Sequence, residues 1–170
     1  MFLSVFDMFK IGVGPSSSHT MGPMVAAARF LDRMRQVSFT VNAVRGSLHG
    51  SLAFTGVGHA TDRAVILGLA GFLPDTFDAE DAEKAMAELR ATCTLRPEGL
   101  PELHFDPSKD LRFDYDRALP GHANGMILEA LDAQGDVVLQ ETYYSIGGGF
   151  VLTEAELAQG RDTDDGPAVP

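Results

Sequence analysis

The stretch 125–146 constrains this chain most. It reads GMILEALD, then AQG, then DVVLQETYYSI, two runs rich in branched and aromatic residues around a turn holding Gln134, Gly135 and Asp136. That pattern predicts a β-hairpin. A lone hairpin is marginal in water, so the chain must supply further strands and a cover for one face. The cover is visible upstream. Met24, Ala27, Ala28 and Leu31 share one face of a predicted helix over 22–35. Pro23 suits a first helical position, and Thr20 or Gly22 suits the cap.

Further elements follow the same logic. Residues 38–46 predict a strand with Phe39, Val41 and Ala43 on one face, and SLAFT at 51–55 predicts a second short strand. A helix is expected over 61–72, capped by Thr61 or Asp62, with Ile66, Leu67, Leu69 and Ala70 in the core. Another is expected over 79–91 behind Asp78. Residues 93–121 contain four prolines and predict only short edge strands. The polar end RDTDDGPAVP lacks periodicity and reads as a linker. The expected class is α+β, a mixed sheet with helices packed on one face.

Composition narrows the function. Thirteen basic against 24 acidic residues give a formal charge of −11, which argues against nucleic acid as partner. The single cysteine, Cys93, excludes an internal disulfide and falls short of the roughly four thiolates of a [4Fe–4S] cluster. No apolar run reaches the roughly 18 residues of a membrane span, and the opening MFLSVFDMFK has no basic leader before Asp7. No membrane partner is expected, and the chain reads as cytoplasmic.

Four segments have residues suited to chemistry. In GVGPSSSHTMG, at 12–22, Ser16, Ser17, Ser18, His19 and Thr20 run into a helix N-terminus, where free N–H groups favour an anion such as a carboxylate. The alternative is a serine-rich capping loop. In GVGHATD, at 56–62, His59 lies just before a helix start, where a neutral imidazole can act as a general base. Thr61 either caps that helix or donates to a ligand, and Asp62 reads as a cap. In YYSIGGG, at 143–149, Ser145 stands at a strand end whose glycines permit close approach or simply loosen the exit. In LPGHANG, at 119–125, His122 and Asn124 sit in a turn, either structural or a small polar site.

Taken in this order, the segments resemble the bacterial iron–sulfur L-serine dehydratases, also called L-serine ammonia-lyases. The blocks that carry the likeness are SVFDMFKIGVGPSSSHTMGPM, HGSLAFTGVGHATDRAVILGLAG, LPGHANGM and ETYYSIGGGF, spread over about residues 2–152; residues 78–117 match loosely. The resemblance implies the N-terminal β domain of the single-chain form, residues 1–158, followed by a linker, 159–170, towards a catalytic α domain that carries the [4Fe–4S] cluster. It implies a fold similar to the allosteric substrate-binding domain of phosphoglycerate dehydrogenase. It also implies a chain that is inactive alone and lacks a metal site of its own.

Serine dehydration needs a base at the α carbon, donors for the carboxylate and help for a poor leaving group. By resemblance, His59, Thr61 and Ser145 form the catalytic set, with His59 as acid/base, and Ser16, Ser17, Ser18, His19 and Thr20 hold the substrate. His122 and Asn124, with Gly71 of a second copy, would form an effector site for L-serine in a homodimer. The remaining alternative is a dimerisation module without catalytic residues. If one substrate is shared, the loop at 16–20, His59 and Ser145 must converge at the surface, and the loop hydroxyls are expected to lack internal partners.

Overall fold

The structure, a computed structural model, describes residues 17–162. Helix α1 (Met21–Gln36) leads into strand β1 (Ala43–Gly50) and two short helices, α2 (Ser51–Phe54) and α3 (Gly56–His59). Helices α4 (Thr61–Leu69) and α5 (Ala79–Thr92) follow. Short strands β2 (Thr94–Leu95), β3 (Leu103–His104) and β4 (Leu111–Asp114) precede the hairpin β5 (Asn124–Leu131) and β6 (Val137–Gly147). Strand β7 (Phe150–Thr153) and helix α6 (Glu154–Asp162) complete the described chain.

One seven-stranded sheet runs β2-β3-β1-β5-β6-β7, and β4 also pairs with β1. β1 is parallel to β3 and β4 and antiparallel to β5, so the sheet is mixed. The core lies between the sheet and α1, α4 and α5: Met24, Phe30, Leu31, Leu67, Leu69, Leu48, Leu128 and Tyr143 are all at most 1% exposed. A smaller cluster of Leu119, Ile127 and Tyr144, joined by Leu157 of α6, packs on the other side. The α+β expectation holds. Asp78 caps α5, its side chain accepting from the Asp81 N–H at 3.0 Å. Arg29 of α1 donates to the Val151 carbonyl and to Glu156, while Thr153 and Glu156 bond reciprocally at the start of α6. Helix α6 spans the expected 158/159 boundary; residues 163–170 lie outside the described ones.

Several local expectations are corrected. SLAFT is helical, because Gly50 turns the chain out of the sheet at φ 56°. A Cβ there would lie 2.4 Å from the Ala123 carbonyl oxygen, so only glycine fits. β1 begins at Ala43, and Val44 and Leu48 face the core. Of the expected Phe39, Val41 and Ala43 face, Val41 is buried in the core just before the strand, whereas Ala43 is half-buried because the strand runs one residue out of phase, and Phe39 is 41% exposed. The register of β1 is fixed by pairing with β5, from Ala43 opposite Leu131 to Gly50 opposite Asn124. Ala28 and Ala70 are half-buried rather than core. In the hairpin turn, Asp132 accepts the N–H groups of Gln134 and Asp136, both at 2.9 Å.

Candidate active-site cluster

The N-terminus of α1 is where the chemically suggestive segments meet. Its first turn is held by Gly22 N–H to Ser17 carbonyl (2.9 Å) and Met24 N–H to Thr20 carbonyl (3.0 Å). His19, just before the helix, bonds through Nδ1 to Ser18 Oγ (2.9 Å) and through Nε2 to Ser51 Oγ (3.0 Å). Its ring centroid is 4.9 Å from that of His59. On the other side, Gly22 presses on Ser145: a Cβ at position 22 would lie 1.9 Å from Ser145 Oγ. Glycine at 22 is what admits the strand end. His59 and Ser145 therefore reach the same helix start, one beside residue 19 and the other beside residue 22.

Burial at this corner leaves polar atoms unpaired. Thr61 and Ser145 are buried, at 0% and 2% exposure, and Thr61 Oγ1, Ser145 Oγ and His59 Nδ1 have no hydrogen-bond partner. Tyr143 Oη is the fourth such atom among the described residues. Buried polar atoms without partners are uncommon and costly in folded proteins, which makes the corner the candidate site. Thr61 is not the helix cap that the sequence allowed. The N-cap is Ala60, which takes a left-handed conformation at φ 55°, a strained geometry for a residue with a Cβ. That turn separates His59 on α3 from Thr61 on α4.

Electrostatics favour uncharged groups here. Burial, and then the charge of a protonated His59, lower the His19 pKa, against a smaller raising contribution from the Ser51 backbone. Burial, reinforced by the Glu141 carboxylate, raises the Tyr143 pKa, with Arg29 and Arg33 opposing, so the hydroxyl keeps its proton. The Arg29 guanidinium lies 5.7 Å from the Tyr143 ring centroid.

The expectation of loop hydroxyls without internal partners is not met at Ser18, which pairs with His19 because that ring bridges the loop to α2. Ser17 and Ser18 are half-buried, Thr20 is buried, and Ser16 lies outside the described residues. LPGHANG adjoins the same corner. The Asn124 side-chain amide donates to the Ser145 carbonyl (3.1 Å), and Ser51 N–H donates to the Ala123 carbonyl (2.8 Å). His122 is exposed and its Nδ1 accepts the Asn124 N–H at 3.0 Å. Gly71, in the turn after α4, is exposed, with φ 99° and open space around it.

Sequence reasoning missed Ser51 and Tyr143. Tyr143 had a readable signal: it is two residues from Ser145 on one strand, so the two share a face. Ser51 had none, because its role depends on Gly50 turning the chain.

Among the described residues, no group of three or more His, Cys, Asp or Glu side chains is placed to hold a metal. Cys93 sits alone at the C-cap of α5. These residues do not fit the thiolate set of an iron–sulfur cluster. No helix among them is long and apolar enough to cross a membrane.

The fold and the corner define an α+β domain with buried, unpartnered polar groups at a helix N-terminus. Comparison with known proteins gives it a family: the chain matches the model described as serine dehydratase beta chain over residues 4–156, and it belongs to that family. It is 47% identical over 163 residues to the L-serine dehydratase of Streptomyces coelicolor, covering 95% of this chain and 36% of that protein. It is 46% identical over 154 residues to the L-serine dehydratase of Helicobacter pylori (91% and 34%). With L-serine dehydratase 2 of Escherichia coli the identity is 44% over 160 residues (92% and 35%). The chain thus spans about a third of the length of these curated relatives.

Proposed function

We propose that this chain is the β portion of an L-serine dehydratase that converts L-serine to pyruvate and ammonia together with a catalytic α domain of the same polypeptide. The observation that carries the reading is the set of buried, unpartnered atoms His59 Nδ1, Thr61 Oγ1 and Ser145 Oγ. A substrate with a carboxylate, an amine and a hydroxyl has the groups to satisfy them. The Ser16–Thr20 loop receives the carboxylate, since N–H groups at a helix start favour an anion. His59 removes the α proton, and Thr61 or Ser145 orients the substrate or moves a proton. The [4Fe–4S] cluster of this reading belongs to the α domain, as the residues here do not fit it.

A partner over the corner is supported by exposed apolar side chains beside it. Phe54 and Val57, on the short helices that lead to His59, are 68% and 70% exposed, and the Tyr115 ring packs against Phe54 at a tilt of 59°, centroids 5.3 Å apart. Ile146 and Phe150, beside Ser145, are also exposed. Patches of this kind mark interaction sites. A second reading, an effector site for L-serine in a homodimer, is favoured by the exposure of His122 and the open space at Gly71, with Asn124 linking that loop to Ser145.

In the enzyme completed with its α domain, His59→Ala should lower kcat about 10²–10⁴-fold with little change in KM. An unchanged kcat in a pyruvate-release assay removes His59 from the chemistry. This chain alone should give no serine-to-pyruvate turnover, and turnover by it alone overturns the two-domain reading.

A further inference from the structure

The sheet has a second polar concavity, on the face opposite α1. Side chains alternate along a strand, so while Val44 and Leu48 face the core, Arg45, Ser47 and His49 face the other way. With Arg112 and Asp114 of β4, Arg117 and Glu129, they line a depression of roughly 150 Å³, room for about five waters at ~30 Å³ each. None of the residues of the candidate active-site cluster lines it.

We propose that this depression binds a small anion bearing two or three acidic oxygens, a compact carboxylate or a phosphoryl group. The first support is an imbalance of pairing. Of the nine arginines with described side chains, six form ion pairs. The three without one are Arg90, Arg112 and Arg117. Two of these three line this one depression, in a chain whose formal charge is −11. Acidic groups are abundant, yet none within the described chain meets these guanidiniums within 4 Å.

The second support is the floor. His49 is 2% exposed and fully bonded. Its Nδ1 lies 2.8 Å from the Arg117 carbonyl oxygen, which only accepts, so Nδ1 bears the proton. In the neutral ring Nε2 then accepts from Ser47 Oγ–H at 2.8 Å. That contact also fixes the backbone from which Arg117 projects. Asp114 is committed as well: its carboxylate accepts the N–H groups of Asp116 and Arg117 at 3.1 and 3.0 Å, and it lies 3.8 Å from His49 Nδ1. Glu129 is paired with Arg45. The donors left for a ligand are Arg112 and Arg117, and guanidiniums recognise oxyanions by paired N–H bonds. Asp114 and Glu129 also line the depression and repel an extended polyanion, which limits the ligand to a small one.

Isothermal titration of this chain at low ionic strength tests the assignment, with sodium sulfate and sodium malonate as probes and sodium chloride as the control. One-to-one binding of sulfate or malonate is expected. Arg112→Gln and Arg117→Gln should each weaken it at least about tenfold, since a charged hydrogen bond contributes about 1.5–3 kcal/mol and 1.4 kcal/mol is tenfold. Arg90→Gln, removing the unpaired arginine outside the depression, should leave the affinity unchanged. Preference for sulfate identifies a phosphoryl-like ligand, and preference for malonate a carboxylate. The assignment is overturned if neither anion saturates the protein at millimolar concentration. It is equally overturned if binding survives in the Arg112→Gln, Arg117→Gln double variant while that variant melts like the parent.

Discussion

The middle of the β5–β6 hairpin and its far end follow different rules. In the middle, Met126, Leu128 and Ala130 are sealed under the helices, and each strand residue pairs with a neighbour. At the far end, Ser145 is as deeply buried as these, yet its hydroxyl has no partner, and three residues with positive φ follow it. The core is complete within this chain. The end of the hairpin is buried like a core but equipped like a binding site. A domain that holds unpartnered polar groups in such a place loses stability there, and a ligand or a second domain offsets that loss.

The comparison can be broken from the core side first. Leu128→Ala should cost about 2–5 kcal/mol in denaturant unfolding, because Leu128 is fully buried and the sheet and helices cannot collapse onto the gap. A loss below about 1 kcal/mol would mean that the middle is loosely packed and differs little from the end. Gly22→Ala comes next, at about 1–3 kcal/mol, because the added methyl meets Ser145. Combining it with Ser145→Gly should recover most of that loss in a double-mutant cycle, and strictly additive costs would show that the two do not press on one another.

Ser145→Ala should change stability by less than about 0.5 kcal/mol, or raise it by up to about 1 kcal/mol, since it removes a buried hydroxyl without a partner. A destabilisation above about 1 kcal/mol would reveal an internal partner and erase the distinction between the two ends.

The smallest effect is pH-dependent. His19 titrates below its unfolded value of 6.5, so the unfolded chain binds more protons as pH falls through 6.5 towards the folded pKa. Its contribution to stability is therefore present above about pH 6.5 and is lost below it. His19→Asn should flatten this part of the stability profile. An unchanged slope would place His19 in a solvent-like setting.

Much of the architecture was legible. The hairpin, the α1 stripe and the Asp78 cap all rest on periods and caps within a few residues of one another, which a linear reading captures. SLAFT and the phase of β1 were misread because both depend on partners far along the chain, Ala123 and the β5 register. At the corner, the residue types of His59, Thr61 and Ser145 were suggestive in sequence, but their unpartnered state is a property of packing, and Ala60 has no sequence signal for its left-handed turn.

By itself, the sequence determined most of the helices and strands, SLAFT excepted, because propensity and hydrophobic period act locally. It also carried the family resemblance, since the blocks GVGPSSSHTMG, GVGHATD, LPGHANG and YYSIGGG are continuous strings within the residues 4–156 that match the family. Only the tertiary structure decided that His19 meets His59, that Gly22 receives Ser145, and that Arg112 and Arg117 share a depression with a buried His49. Each of these is a contact between segments whose separation along the chain says nothing of their distance in space. They are fixed by sheet register and helix docking, which depend on the whole core at once.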